Sequence, residues 1–301
     1  MVYTVTFNPA LDYIMNTHTL SADDINRALS EEIICGGKGI NVSTVLSRLG
    51  ISSKALGFAA GFTGEELCRM LTESGIDNDF IRLENGRTRI NVKIRCGKEL
   101  DINAPGPEIS NEKLNELLKK LDRLESGDFL VLAGSVPPSL PDNTYECILK
   151  RLSDKGINAV VDTSGYKLMN TLKYKPFLIK PNHHELGEIF GISADSTEEI
   201  TEYAKRLKSM GTQNVLVSRG EKGAVLIDAD GNIHTVGAVA GKAVSTTGCG
   251  DSMVAGFIAG YIKRGDYDYA LRLATACGAA TAFSNGIAEK EEIERCLNRI
   301  L

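Results

Sequence analysis

The sequence has no long run of basic residues, no two cysteines spaced for a metal or redox motif, and no apolar stretch long enough to span a bilayer. Each absence excludes something. Lysine and arginine number 34 against 39 aspartates and glutamates, a formal net charge of −5, so nucleic acid or an anionic membrane is not expected as the main partner. The seven cysteines, Cys35, Cys68, Cys96, Cys147, Cys249, Cys277 and Cys296, are odd in number and scattered. That suits free thiols in a reducing compartment rather than a disulfide framework or a zinc site. The first residues lack the basic and apolar regions of a signal peptide. The longest apolar stretch, around Met253 to Ile262, is too short and glycine-rich for a membrane span. A cytoplasmic location is therefore expected. No low-complexity segment, internal repeat or linker divides the chain.

What is present is globular: 301 residues, 43% hydrophobic and 24% charged. Apolar runs such as Phe129–Ala133, Ala159–Val161 and Val215–Val217 suit strands buried on both faces of a parallel sheet. Between such runs lie helical patterns. Val42, Val45, Leu46 and Leu49 recur at helical spacing before Gly50, as do Leu114, Leu117, Leu118 and Leu121. A third set, Ile200, Tyr203, Ala204 and Leu207, follows the capping-box pair Ser196 and Glu199. Alternating strands and helices predict an α/β domain with a mainly parallel sheet flanked by helices. Residues 11–19 with 31–35, and 87–95 with 99–104, read as strands without intervening helices. The clean alternation of Arg89–Ile94 is that of a half-buried strand. These pieces predict a small, mostly antiparallel sheet, inserted discontinuously over about 11–35 and 87–104 and acting as a lid on a single domain of residues 1–301.

The segment Ser245-Thr246-Thr247-Gly248-Cys249-Gly250-Asp251-Ser252 precedes a helical pattern of small residues. Glycines there let amides turn toward one point, where the helix terminus adds partial positive charge. Such a hole suits a phosphoryl group in flight, and an aspartate beside it can accept a proton from an attacking hydroxyl. By itself, a glycine turn with Asp251 capping the helix explains the same residues. It is not a dinucleotide fingerprint, since Met253 occupies the place of the third glycine. Nor is there a P-loop: Gly237 to Lys242 is one residue short, and Ala243 follows the lysine. Near the start, Gly36-Gly37-Lys38-Gly39-Ile40-Asn41 opens the first long helix with glycines and a lysine, and Asn8-Pro9-Ala10-Leu11-Asp12 supplies a carboxylate suited to sugar hydroxyls.

With these motifs in this order, the chain resembles the PfkB/ribokinase family of carbohydrate kinases over essentially its whole length. The shared stretches are NPALD at 8–12, GGKGIN at 36–41, TRINVKI at 88–94, LAGSVP at 132–137, KPNHHELGE at 180–188, VSRGEKG at 217–223 and TTGCGDSMVAGF at 246–257. The resemblance implies a ribokinase-like fold and ATP- and Mg²⁺-dependent transfer of a phosphoryl group to a phosphorylated ketohexose. The acceptor it favours is fructose 1-phosphate, giving fructose 1,6-bisphosphate. Its alternatives are tagatose 6-phosphate and, in a different class, a non-catalytic sugar-phosphate-binding protein.

By the same resemblance Asp251 is the catalytic base, and the amides of Gly248, Cys249 and Gly250 form the anion hole. Two positions depart from the usual family pattern: Ser245, where Asp or Asn is common, and Cys249, where Ala is common and whose thiol would lie near the nucleotide, open to oxidation. Nucleotide and metal handling falls to Lys180, Asn182 and Glu185, with Glu185 holding Mg²⁺ through water. The ATP loop is Ser218, Arg219, Gly220, Glu221, Lys222 and Gly223, joined by Gly250 and Asp251. Ser284 and Asn285, expected late in a helix, would lie near the adenine or a monovalent cation. The sugar phosphate falls to Asp12, Arg27, Gly36, Gly37, Lys38, Asn41 and Arg89, since Asp and Asn suit hydroxyls and Lys and Arg suit a phosphate. His183 and His184 are adjacent on what reads as an extended segment, where side chains point apart, so no zinc site is expected from them. An exposed lid face would pair two copies into a homodimer.

Overall fold

The computed structural model describes residues 1–300. Its main sheet runs, from one edge, Ile233–Val236, Ala224–Ile227, Asn214–Ser218, Leu178–Ile179, Asn158–Asp162, Phe129–Ala133, Val2–Thr6, Ser53–Ala60 and Asp77–Asn78, with Ile81–Leu83 also pairing along Ser53–Ala60. Every pairing is parallel except the two hairpin steps at the Ile233 edge. The central strands are apolar on both faces, as their sequences imply. Leu130 and Leu132 point to one layer of helices and Val131 to the other, and all three are fully buried. One layer holds Lys38–Arg48, Cys249–Arg264, Tyr267–Phe283 and Lys290–Leu297. The other holds Asn111–Leu121, Thr144–Leu152, Gly165–Thr171, His183–Phe190 and Thr197–Ser209. The expected capping box at Ser196 and Glu199 is present, each side chain meeting the other residue's backbone N–H. Among the described residues no helix is long and apolar enough to cross a membrane. All seven cysteines are free.

The small sheet has the order Ser30–Gly36, Ala10–Asn16, Arg89–Cys96, Lys98–Ile102. Its outer pairs are antiparallel, but Ala10–Asn16 and Arg89–Cys96 run parallel. The sequence pattern missed this parallel centre, because alternation reveals a face and not a strand's direction. Leu11 anchors the lid by packing with Ile40, Leu67 and Leu71 beneath it. At the opposite end of the lid, an Arg95 Nη2–H donates to the Asn285 carbonyl at 3.1 Å, so the small sheet touches the main body at both ends.

Candidate active site

A cleft of about 1430 Å³ lies between the small sheet and the carboxyl ends of the parallel strands. Thr6, Ala133, Asp162, Lys180 and Ser218 line it, each at or just past the end of its strand. That is where parallel α/β sheets hold ligands, because loops and helix N-termini converge there.

Gly248 has φ 79°, a left-handed conformation that glycine adopts without strain, and it caps the helix Cys249–Arg264. The turn puts Asp251 in the first helical turn, 5% exposed, with Asn41 Nδ2–H donating to its Oδ2 at 2.7 Å. Asn41 arrives from the glycine motif near the start of the chain. There Gly37 has φ 128°, and a side chain on it would meet the Thr6 methyl at 2.7 Å. The two glycine motifs, more than 200 residues apart in sequence, thus meet at one hydrogen bond. Burial, and then the carboxylate of Asp162, push Asp251 up to about 6, against the pull of Lys38, the Asn41 hydrogen bond and Lys180. A carboxylate with that value is a stronger base than a solvated aspartate and is still ionised at neutral pH.

Asp162 was not expected from the sequence. It ends the strand Asn158–Asp162, is 3% exposed, and accepts from Lys38 Nζ at 2.9 Å, while Lys180 Nζ lies 3.5 Å from its other oxygen. Burial alone would raise it, but the two ammonium groups outweigh burial and hold it below the ordinary aspartate value. Lys38 is pulled down by burial and more than restored by Asp162 and Asp251, so it remains charged. Lys180 also sits above the glycine turn before Asp251, where a side chain on Gly250 would come within 3.0 Å of Nζ. A carboxylate at the carboxyl end of a buried apolar strand was the signal available in the sequence.

The lid lines one side of the cleft with Asp12, Arg89, Asn91 and Lys93. Asp12 Oδ1 accepts from Asn91 Nδ2 at 2.8 Å, and the Asn91 side-chain oxygen Oδ1 is buried without a partner. Gly36 lies against the Asp12 carboxylate, leaving no room there for a side chain. Arg89 donates to the carbonyls of Asn8 and Ala104 at 3.2 and 3.3 Å, spending part of its five N–H donors at the root of the lid. Lys93, two residues beyond Asn91 on the same face, also lines the cleft and pairs with Asp101 at 3.0 Å.

Several expected site residues stand elsewhere. Arg27 is exposed in the loop between the first two lid strands and does not line this chain's cleft. Ser218, Gly220, Glu221 and Gly223 line the cleft, but Arg219 and Lys222 do not. Arg219 turns instead to the Thr197 hydroxyl at 2.9 Å, and Lys222 is exposed. Lys38 belongs to the Asp162 and Asp251 cluster rather than to a separate phosphate pocket. Asn182 is the N-cap of the helix His183–Phe190: its side chain accepts from the Glu185 N–H while Glu185 Oε2 accepts from the Asn182 N–H, both at 2.8 Å. His183 and His184 open that helix, and their rings lie 3.9 Å apart rather than pointing away from each other. Ser284 and Asn285 lie just past the helix Tyr267–Phe283, and the Ser284 hydroxyl is held by Glu292 at 2.6 Å. Cys249 is half-buried, and desolvation pushes its thiol up to about 11. It therefore stays protonated, and the oxidation expected of it is disfavoured.

Among the described residues there is no group of three metal-ligating side chains. Of the cleft carboxylates, Glu185 keeps one oxygen outside its capping box. That donor set fits Mg²⁺, which takes few protein carboxylates and fills its remaining positions with water and phosphate oxygens.

The pfkB family carbohydrate kinase pattern matches residues 5–294. A 1-phosphofructokinase of Bacillus subtilis is 42% identical, with 100% of this chain and 98% of the relative covered. A D-tagatose-1-phosphate kinase of Bacillus licheniformis is 36% identical over 100% of this chain and 98% of the relative. This relative, and a second of the same name from Klebsiella oxytoca, carry the 1-phosphate in their names, whereas the alternative read from the sequence was tagatose 6-phosphate. Among solved structures, a Staphylococcus aureus protein described as a phosphofructokinase superposes with a TM-score of 0.90 at 40% identity, covering 100% of this chain and 98% of that one. With its two glycine motifs joined at Asp251 and its lid over the strand ends, the chain belongs to the pfkB family of carbohydrate kinases.

Proposed function

We propose that the protein transfers the γ-phosphoryl group of ATP to a free hydroxyl of fructose 1-phosphate, giving fructose 1,6-bisphosphate. The observation that carries the transfer is Asp251, buried at the amide-rich start of a helix and fixed by Asn41, where burial pushes its carboxyl up to about 6. In this reading Asp251 accepts the hydroxyl proton as the oxygen attacks. The amides of Gly248, Cys249 and Gly250, with Lys180 above them, stabilise charge on the transferring group. Asp12 and Asn91 orient the sugar ring, and Arg89 adds positive charge at the lid root. Ser218, Gly220, Glu221 and Gly223 line the nucleotide end. Glu185 would help hold Mg²⁺, which when bound offsets the negative charge of the phosphates. The acceptor identity rests on the names of the relatives, among which D-tagatose 1-phosphate is the alternative. The test is ATP consumption with fructose 1-phosphate, tagatose 1-phosphate, fructose 6-phosphate and free fructose. Fructose 1-phosphate is expected to give the highest kcat/KM. A preference for tagatose 1-phosphate would keep the chemistry and change the sugar, and no turnover with any of the four would remove the assignment.

Glu185→Gln keeps an oxygen for the capping box but loses the charge. The variant is expected to need several-fold more Mg²⁺ at saturating ATP, with KM for the sugar little changed. A Mg²⁺ titration that matches the native protein would leave Glu185 only its capping role.

The outer face of the lid supports a homodimer. Ile33, Ile90, Leu100 and Ile102 are exposed there, opposite the polar face that covers the cleft. Clustered apolar side chains of this kind mark interaction surfaces. Light scattering is expected to read twice the 32.5 kDa chain mass, and Ile102→Lys to lower it. A monomeric native protein would overturn the pairing.

A further inference from the structure

The cleft face of the central lid strand carries Arg89, Asn91 and Lys93 at every second position. Asn91 and Asp12 are joined in the middle, suited to ring hydroxyls, with Arg89 at the lid root and Lys93 about 13 Å further along the strand. Lys93 is 7% exposed, lines the cleft, and has Asp101 on the neighbouring lid strand as its partner. An ammonium group has three N–H donors, and a single hydrogen bond, to Asp101 at 3.0 Å, engages Lys93. The other lysines of the cleft, Lys38 and Lys180, face Asp162 at the transfer end. Taking a lysine out of water is costly without full compensation, and a partner that is itself 38% exposed provides little.

We propose that Lys93 is the residue that grips the phosphate already carried by the acceptor, and that Asp101 holds its ammonium in place until that phosphate arrives. The inference rests on the reading of the site as one for a ketohexose phosphate. A phosphate dianion can take the donors that Asp101 leaves free, in charge-assisted hydrogen bonds. A neutral sugar offers nothing to match them, so Lys93 discriminates a phosphorylated acceptor from a free one. Asp101 orients the ammonium and also repels the dianion, so removing each partner has a different consequence.

The experiment compares native protein, Lys93→Met, Lys93→Arg and Asp101→Asn. Steady-state rates are measured with fructose 1-phosphate and with free fructose, and fructose 1-phosphate binding is measured by calorimetry without ATP. Lys93→Met is expected to raise KM for fructose 1-phosphate by about 10- to 100-fold, the range for losing a charged hydrogen bond. Its kcat/KM for free fructose and its KM for ATP should change by less than about threefold, and Lys93→Arg should recover most of the loss. Asp101→Asn is expected not to raise KM for fructose 1-phosphate. If both single variants raise it alike, the pair is a structural staple of the hairpin and the proposal fails. It also fails if Lys93→Met harms free fructose as much as the phosphate. Should the native protein bind fructose 1-phosphate without phosphorylating it, the proposed activity is wrong, and calorimetry on Lys93→Met then decides the role of Lys93 alone. Absence of binding to the native protein overturns both.

Discussion

Asp251→Asn is expected to lower turnover by roughly 10²–10⁴, the range for losing a general base, while leaving the fold and ATP binding in place. The carbonyl oxygen of the substituted amide can still accept from Asn41 Nδ2–H, so the loop keeps its shape. In the native protein the base must be ionised, and Asp251 titrates at about 6. The value of kcat/KM, which reports ionisation of the free protein, should therefore fall as the pH drops through about 6, and this acid limb should disappear in the variant. The same group makes an opposite prediction for stability. Its folded value lies above its ordinary one, so its contribution favours folding at low pH and is lost as the pH rises through about 6. At neutral pH the ionised, buried carboxylate is a strain on the fold, and Asp251→Asn should be more stable there by an amount on the order of 1–3 kcal/mol. Denaturation midpoints at pH 5 and 8 measure it: the gain should be larger at pH 8. A folded variant with near-native turnover would remove Asp251 from the mechanism.

Asp162→Ala should be the more damaging substitution for the fold. It leaves two ammonium groups facing each other with their shared carboxylate gone. Lys38 keeps 45% of its side chain open to the cleft and can regain water, whereas Lys180, at 6%, cannot. Most of the loss therefore falls on Lys180, and stability should drop by about 3–5 kcal/mol, as when one partner of a buried pair is removed. Because Asp162 is held below the ordinary aspartate value, its contribution is present above that value and is lost as the pH falls through the lower one. The penalty should thus be full at neutral pH and shrink in acid. Asp251 would lose the like charge that raises it, so in the milder Asp162→Asn variant the acid limb of the rate should move below 6. A midpoint and a pH profile that both match the native protein would show that Asp162 neither pairs the lysines nor sets the base.

The sheet and its helices were legible because each element signals itself locally. Short, fully apolar runs such as Phe129–Ala133, ended by a glycine, suit strands buried on both faces, and helices such as Lys38–Arg48 show their buried stripe at i, i+3 and i+4. The glycine motifs were legible too, since few residue types permit the turns they make, and their order pointed to the family. The sequence also held the alternation of Arg89, Asn91 and Lys93, but gave no means of telling which face of the lid would cover a cleft.

What the sequence by itself determined was the alternating architecture, the two glycine turns and the aspartate that follows the second. The tertiary structure alone decided which charges meet. Asp162 looks like the end of an ordinary strand until the fold sets it between Lys38 and Lys180, and only the fold shows that Arg27 stands in an exposed lid loop away from its own chain's cleft. The physical reason is one of range. Backbone conformation depends on neighbours in the chain, whereas the ionisation and pairing of a buried side chain depend on charges within a few ångströms, brought there from segments more than 100 residues away.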